Sequence, residues 1–276
     1  MPRIELNNRL IYGHYAPCLS CSLRAILKRM QDGNTHMKAK GGKALYGASV
    51  GILMLDAQFP RIPGDMGNAT TWPFPVHYKI VRGASPDKVV RGGAEGLLSV
   101  FIEAAQELVD DGVDGITTNC GFLSLFQNEL ADAVGVPVAT SSLMQVELVN
   151  RLLPEGKHAG VLTISGSTLT KAHLLAANVP DGTPIGTTEG GAEFTRAILD
   201  NELELDVALA RQDNVDAAQE LQKANPDLGA IVLECTNMIP YAADIQVATG
   251  LPVFSIETFV RWFQSALVPR RFADPT

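Results

Sequence analysis

The 276-residue chain is short of basic residues, of cysteines and of long apolar runs. Its 22 lysines and arginines are outnumbered by 30 acidic residues, so the formal net charge is −8. An acidic chain without a lysine–arginine cluster is not expected to bind a phosphate backbone, which excludes a nucleic-acid partner. No apolar run reaches the length of a membrane span and the start lacks a signal-peptide core. We therefore expect a cytoplasmic protein without a membrane partner.

The four cysteines are too few for a disulfide framework in a chain of this length. Cys18 and Cys21, with His14 nearby, have the spacing of a metal-ligand pair, but a structural zinc needs four ligands and the sequence offers no second pair. We predict no metal and no cofactor. Residues 1–44 are predicted to be a mobile amino-terminal extension, and Met37 offers an alternative start of translation.

Beyond the extension, short apolar runs alternate with amphipathic stretches of helical length. The predicted strands are Val50–Asp56, Tyr78–Val81, Gly115–Asn119, Val136–Thr140, Ala159–Ile164, Pro184–Thr188, Leu228–Glu234 and Val253–Ile256. The longest predicted helices are Val89–Asp111 and Leu203–Ala224. Strands that alternate with helices favour an α/β architecture with parallel sheets, in which functional loops follow the carboxyl ends of the strands.

Two segments of the chain repeat the same pattern, and each contains a cysteine. A predicted strand ends at Cys120, a helix follows, and Pro137 comes 17 positions later; a second strand ends at Cys235 and leads to Pro252 at the same distance. At such a strand-to-helix junction, free N–H groups and the helix dipole favour a thiolate. A cysteine buried only for packing has no reason to recur there, so the repeat favours a functional pair of thiols.

A pair of thiols at equivalent positions suits racemisation. One thiolate removes a proton from one face of a carbon acid and the opposing thiol returns a proton to the other face. The developing enolate needs preorganised donors, which backbone N–H groups, hydroxyls and amides supply. The candidate substrate-binding residues beside the thiols are Thr118, Asn119, Gly121, Thr236 and Asn237. Ser165, Ser167 and Thr168 follow a third strand and form either a carboxylate-binding loop or an ordinary helix cap.

These motifs resemble those of the aspartate/glutamate/hydantoin racemase superfamily over residues 50–267. The segment Leu233-Glu-Cys-Thr-Asn-Met-Ile-Pro240 is similar to the second-cysteine motif of the family, and Thr117-Thr-Asn-Cys-Gly121 occupies the position of the first. Gly160–Thr168 resembles the strand-to-hydroxyl loop, and Val50–Asp56 the opening strand.

The resemblance implies two pseudo-symmetric parallel-sheet α/β domains with the active site in the cleft between them. The first domain is expected to comprise residues 45–142 plus 250–276, so that the carboxy-terminal strand and helix return to it, and the second residues 143–249. It also implies a small carboxylate or amino-acid-like substrate, no pyridoxal phosphate, no metal and a homodimer.

Departures from the family pattern leave the substrate open. Gly121 follows the first cysteine where many members have Asn-Thr, and Asn237 stands where glutamate racemases have histidine. Asp56, expected to contact substrate, is followed by alanine rather than serine. Asp65 and Asn68 are candidates either for substrate contact or for loop capping. The expected function is a cofactor-independent racemase or epimerase that uses Cys120 and Cys235 as opposed acid and base.

Three alternatives keep the same scaffold. One is a decarboxylase, the second a cis–trans isomerase, and the third a non-catalytic ligand-binding homologue of the racemases. Rapid alkylation of the two thiols, with protection by ligand, would oppose the non-catalytic alternative.

Overall fold

The computed structural model describes residues 39–273. Residues from Lys43 onwards form one compact unit, which carries every element below. The Cys18–Cys21 pair and most of the predicted extension lie outside the described residues.

The first half of the unit is a parallel sheet of four strands. The strands are β1 (Val50–Leu55), β2 (Val76–Val81), β3 (Gly115–Thr118) and β4 (Val138–Ala139), in the order β2-β1-β3-β4. The helices of this half are α1 (Pro86–Val90), α2 (Leu98–Asp111) and α3 (Gln127–Ala133).

The second half repeats that arrangement. Its strands are β5 (His158–Thr163), β6 (Ile185–Thr187), β7 (Leu228–Leu233) and β8 (Val253–Phe254), in the order β6-β5-β7-β8 and again parallel. The helices from here to the carboxyl end are α4 (Val146–Leu152), α5 (Lys171–Ala176), α6 (Phe194–Leu199), α7 (Val207–Ala224), α8 (Ala242–Thr249) and α9 (Ile256–Leu267). The equal strand orders confirm the predicted α/β class with two parallel sheets.

The inner strands are apolar because both of their faces are covered. Ile52 and Leu53 are adjacent in β1 and fully buried, yet they belong to different core clusters. Successive side chains of a strand point to opposite faces, so each face of the sheet carries its own core. Phe259 and Phe263 of α9 pack in the cluster of Ile52.

The carboxyl-terminal strand differs from the expectation drawn from the racemase pattern. β8 pairs with β7 in the second sheet, with Ile231 opposite Val253, although it was expected in the first domain. Only α9 returns to the first sheet. Its apolar side chains share a core cluster with Val50 and Ile52 of β1, and Phe263 and Leu267 lie beside Gly115 of β3, because this amphipathic helix buries its apolar face against the sheet.

The single helix predicted over Val89–Asp111 is wrong: α1 ends at Val90 and α2 begins at Leu98. The break contains Gly93 and Gly96, with φ angles of 62° and 71°, and Ala94 at 56°. Left-handed backbone ends a right-handed helix, and glycine adopts it without steric cost. Among the helices in residues 39–273, none is long and apolar enough to cross a membrane.

Candidate active site

The two cysteines occupy equivalent positions in the two sheets. Cys120 follows β3 and Cys235 follows β7, and each is the N-cap residue of a six-residue 3-10 helix, Gly121–Phe126 and Thr236–Tyr241. Both thiols are free and buried, and both line the same cavity. The fold therefore brings together the two residues that the sequence repeat pairs.

Threonine and serine hydroxyls beside the cysteines join the two halves of the site. The hydroxyl of Thr236 donates to the carbonyl of Asn119 at 2.6 Å, and that of Ser142 donates to the carbonyl of Leu233 at 2.5 Å. Thr118 donates to the carbonyl of Thr140 at 2.6 Å. Thr118 and Thr236, predicted to bind substrate, thus hold the two cysteine-bearing turns in place.

Two amide side chains line the cavity and have fixed orientations. The Asn119 Oδ1 atom accepts a hydrogen bond from the Leu55 N–H at 2.7 Å, which leaves the amide N–H groups as the donors that Asn119 can offer. The Asn237 amide nitrogen donates to the Asp65 carboxylate at 2.5 Å, and its Oδ1 accepts from the Cys235 thiol, with an S–O distance of 3.6 Å. Both amides were predicted as site residues.

The loop after β1 contributes the charged partner of Asn237. Asp65 is 2% exposed, and its carboxylate also pairs with Arg61 at 3.0 Å and accepts the Gly67 N–H at 2.7 Å. The Arg61 guanidinium lies over the ring of Phe59, 4.4 Å from its centre, and Phe59 lines the cavity. Asp65 therefore stabilises the loop and orients Asn237. Asn68 caps the short helix Ala69–Thr71, so of its two expected roles the structure shows capping.

Burial raises the pKa of both thiols, and the negative charge of Glu234 raises each further. At Cys120 the rise in pKa is opposed by hydrogen bonds from the backbone N–H groups of Phe122 and Leu123 and by the positive charge of Arg61. Cys235 has one such N–H group, from Asn237, and Asp65 adds to the negative potential at its sulfur. Cys120 is therefore the thiol better placed to lose its proton.

Glu234 is a site residue that the sequence reasoning missed. It directly precedes Cys235, is fully buried and lines the cavity. Burial raises its pKa to about 7, against the opposing effects of hydrogen bonds from the Thr163 hydroxyl, at 2.7 Å, and from the backbone N–H of Ile164. Its Oε1 atom is buried without a hydrogen-bond partner. The signal for this residue was a charged side chain at the end of the apolar run Leu228–Leu233.

The position next to Cys120 requires a glycine. A Cβ atom on Gly121 would lie 2.5 Å from the main-chain oxygen of Glu234 and would also overlap the Glu234 carboxylate. The main-chain oxygen cannot move away without displacing β7. Gly121 therefore permits the close approach of the two cysteine-bearing turns, and its N–H group remains available at the cavity.

Apolar side chains form the rest of the cavity wall. They are Leu55, Phe59, Pro86, Val90, Ile164, Ile198 and Leu199. They come from strand β1 and from loops and helices of both halves of the molecule, which is why spacing along the sequence gave no sign of them. A substrate in this cavity would meet more hydrocarbon than polar surface.

The hydroxyls of the loop after β5 are bound to a carboxylate of the chain itself. Ser165 donates to Glu189 at 2.6 Å, Ser167 donates to it through both its hydroxyl and its N–H, and Thr168 donates to the Ser165 hydroxyl at 2.8 Å. Burial alone would raise the pKa of Glu189, but these hydrogen bonds lower it. Ser165 and Ser167 thus bind a carboxylate, but it is that of Glu189 and not of a substrate.

Asp56 also has partners away from the cavity. It forms an ion pair with Arg82 at 2.9 Å and accepts the Gly83 N–H at 3.1 Å. Of the residues predicted for the site, the cavity brings together Asn119, Cys120, Gly121, Cys235 and Asn237. Across residues 39–273, no group of three or more histidine, cysteine or acidic side chains is arranged to hold a metal ion.

Proteins of similar sequence are named as lyases. The chain is 27% identical to a dimethylsulfoniopropionate lyase of Durusdinium sp. clade D over 227 residues, which cover 78% of this chain and 75% of that protein. Dimethylsulfoniopropionate lyase 7 of Emiliania huxleyi is 28% identical, with 80% and 67% covered. Lyase 6 of the same organism is 31% identical, with 75% and 56% covered. No protein-family model matches the sequence.

Solved structures with the same fold include a decarboxylase and racemases. A mutant of arylmalonate decarboxylase in a sulfate-associated form superposes with a TM-score of 0.56 at 16% identity, covering 82% of this chain and 96% of that one. Allantoin racemase from Pseudomonas fluorescens gives 0.51 at 15% identity, covering 82% and 100%. Glutamate racemase from Bacillus anthracis gives 0.50 at 14%, covering 81% and 85%. The chain has the fold of the aspartate/glutamate/hydantoin racemase superfamily.

Proposed function

We propose that this chain is a lyase that removes a proton from the carbon next to a carboxylate and expels a leaving group from the neighbouring carbon. Dimethylsulfoniopropionate is the substrate to test first, because the similar proteins are named for its cleavage. The structural observation that carries the proposal is that Cys120 and Cys235 line one cavity together with two fixed amides and Glu234.

The reaction is a β-elimination. A base takes a proton from the α-carbon, the electron pair of that C–H bond becomes the second carbon–carbon bond, and the bond from the β-carbon to sulfur breaks. The sulfur keeps the bonding pair and leaves as neutral dimethyl sulfide, while the carbon chain becomes acrylate. The leaving group needs no proton, so a single base is sufficient, unlike in racemisation.

Cys120 is the residue that we assign as the base. Burial and Glu234 raise the pKa of Cys120, but the N–H groups of Phe122 and Leu123 and the charge of Arg61 oppose that rise and favour the thiolate more than the surroundings of Cys235 do. Cys235 donates its S–H to Asn237 and is subject to the negative potential of Asp65, so it remains a thiol. As the proton leaves, negative charge spreads onto the substrate carboxylate, and the Asn119 amide and Gly121 N–H are the donors for it.

The test is the release of dimethyl sulfide by the purified protein, measured by gas chromatography. The wild type should release it, Cys120→Ser should lose activity by roughly 10³-fold or more, since the base itself is removed, and Cys235→Ser should retain a measurable part. Both variants keep the shape of the site, because serine replaces one atom. Release by Cys120→Ser at the wild-type rate would refute the assignment of Cys120, and no release by the wild type would refute the substrate.

Racemisation of an amino acid is the second candidate, and the observation that favours it is the equivalence of the two cysteine positions. A racemase in deuterated water incorporates deuterium at the α-carbon of its substrate and needs both thiols for inversion. An amino acid whose α-carbon is inverted by the wild type, but by neither serine variant, would support this candidate over the lyase.

A further inference from the structure

Glu234 is the carboxylic acid among the residues that line the cavity, and the same lining provides no lysine, arginine or histidine. Its Oε2 atom accepts a hydrogen bond from Thr163, while its Oε1 atom is buried without a partner in the described part of the chain. Ionising a buried carboxyl group that has no cation beside it is costly. A chain that keeps such a group in a ligand cavity implies that the ligand supplies the missing charge.

The walls of the cavity indicate which kind of cation fits. An ammonium group with N–H bonds would need acceptors around it, and here the seven apolar side chains, Phe59 among them, provide none. A sulfonium or quaternary ammonium group carries its charge inside a shell of methyl groups and donates no N–H or O–H hydrogen bond. Such an onium group is satisfied by hydrocarbon contacts, an aromatic face and one negative charge.

We propose that Glu234 is the specificity-determining residue that recognises the positive charge of an onium group on the substrate. The inference rests on the cavity being the substrate site, as in the proposed function, and it adds the residue that selects cationic over neutral substrates. The groups that face Glu234 in the described part of the chain are the two thiols, the Thr163 hydroxyl and the backbone N–H of Ile164. Arg61 and Asp65 act on the thiols from the covering loop, where they are paired with each other.

The kinetic effect of this contact falls on binding. The positive charge is present in the bound substrate and disappears as the carbon–sulfur bond breaks, so the carboxylate stabilises the ground state more than the transition state. Glu234→Gln should raise the KM for dimethylsulfoniopropionate by roughly tenfold without lowering kcat. Gln keeps an oxygen that can accept from Thr163, so the variant retains the local packing.

Binding can be measured without turnover by using a matched pair of carboxylates. The cationic probe is 3-(trimethylammonio)propionate and the neutral probe of the same shape is 4,4-dimethylpentanoate, and calorimetry gives the affinity of each. The wild type should prefer the cation by roughly tenfold, and Glu234→Gln should lose that preference. Glu147→Gln removes the same charge from a surface pair with Arg151 and should keep the wild-type preference.

A second measurement uses the wild type alone. Glu234 must be ionised to attract the cation, and its pKa is raised to about 7. The affinity for the cationic probe should therefore fall as the pH falls through about 7. The affinity for the neutral probe should not fall with it, so the preference for the cation weakens.

Three results would overturn the inference: equal affinity of the wild type for both probes, an unchanged preference in Glu234→Gln, or a fall in kcat with constant KM. The last would instead make Glu234 a proton carrier. The two binding results are independent of the proposed reaction. A preference for the cation without release of dimethyl sulfide would retain the inference and reject the lyase, and release without any preference would do the reverse.

Discussion

Replacing Glu234 by glutamine should stabilise the protein, and the gain should depend on pH. In the folded state the pKa of Glu234 is raised from 4.5 to about 7 by complete burial. The unfolded chain therefore releases this proton at a lower pH than the folded chain does, and the folded state loses stability as the pH rises from the lower value to the higher. A difference of about 2.5 pKa units corresponds to about 3 kcal/mol.

The free energy of unfolding of both proteins, from urea titrations followed by circular dichroism, tests this reasoning. At about pH 5 the wild type loses only a small part of its stability to the ionisation of Glu234, so Glu234→Gln should be more stable by about 1 kcal/mol. At about pH 8 the difference in the free energy of unfolding should reach about 3 kcal/mol. Glu147→Gln, which removes a surface charge paired with Arg151, should change stability by less than about 1 kcal/mol at either pH.

A stability difference between wild type and Glu234→Gln that stays constant over this pH range would refute the argument, because it would mean that Glu234 is ionised equally easily in both states. A wild type that is more stable than Glu234→Gln at high pH would also refute it, because the stability difference would then have the opposite sign.

Three further predictions concern the surroundings of the thiols. Gly121→Ala should lower the free energy of unfolding by about 1–3 kcal/mol, because the new methyl group would meet the Glu234 main-chain oxygen at 2.5 Å. Gly135→Ala, where a Cβ meets nothing within 4 Å, should leave the urea midpoint almost unchanged. Equal midpoints of the two variants would contradict this prediction. Asp65→Asn should move the pH profile of Cys235 alkylation, measured in a Cys120→Ser background, to lower pH, because Asp65 raises the pKa of Cys235; a shift to higher pH would show the opposite influence. Glu189→Gln should be less stable than the wild type above about pH 4. The lowered pKa of Glu189 stabilises the fold where the carboxyl of the unfolded chain is ionised, and this stabilisation is lost as the pH falls. Acid titrations of the two proteins that overlay would rule out this prediction.

The sequence predicts the strands and the equivalent positions of the two cysteines because both depend on short-range patterns. Apolar runs of strand length mark β1, β3, β5 and β7, and the 17-residue spacing from Cys120 to Pro137 and from Cys235 to Pro252 marks the equivalent turns. The helix break between α1 and α2 was missed although Gly93 and Gly96 lie in it, because the helical spacing of apolar residues continues on both sides of these glycines.

Features that depend on distant parts of the chain could not be predicted in this way. The partnership of Asp65 with Asn237 spans 172 positions, and that of Thr163 with Glu234 spans 71. The cavity walls combine Leu55 with Ile198, which meet only after both sheets have formed. The polar loop after β5 shows the limit most clearly. Ser165, Ser167 and Thr168 were expected either to bind the carboxylate of a substrate or to cap a helix, whereas the carboxylate that Ser165 binds is that of Glu189, 24 positions away.

The occupation of that loop by Glu189 makes a twofold scaffold unequal at its centre. With Glu189 bound to its hydroxyls, the Ser165–Thr168 loop of the second half contributes no residue to the cavity wall, whereas Asn119 and Gly121 of the first half line it. A methylene group bound between such different surroundings presents two hydrogens that are no longer equivalent. The proposed elimination should therefore be stereoselective, removing one of the two prochiral α-hydrogens, and substrate deuterated at one α-position of defined configuration would keep or lose its label accordingly.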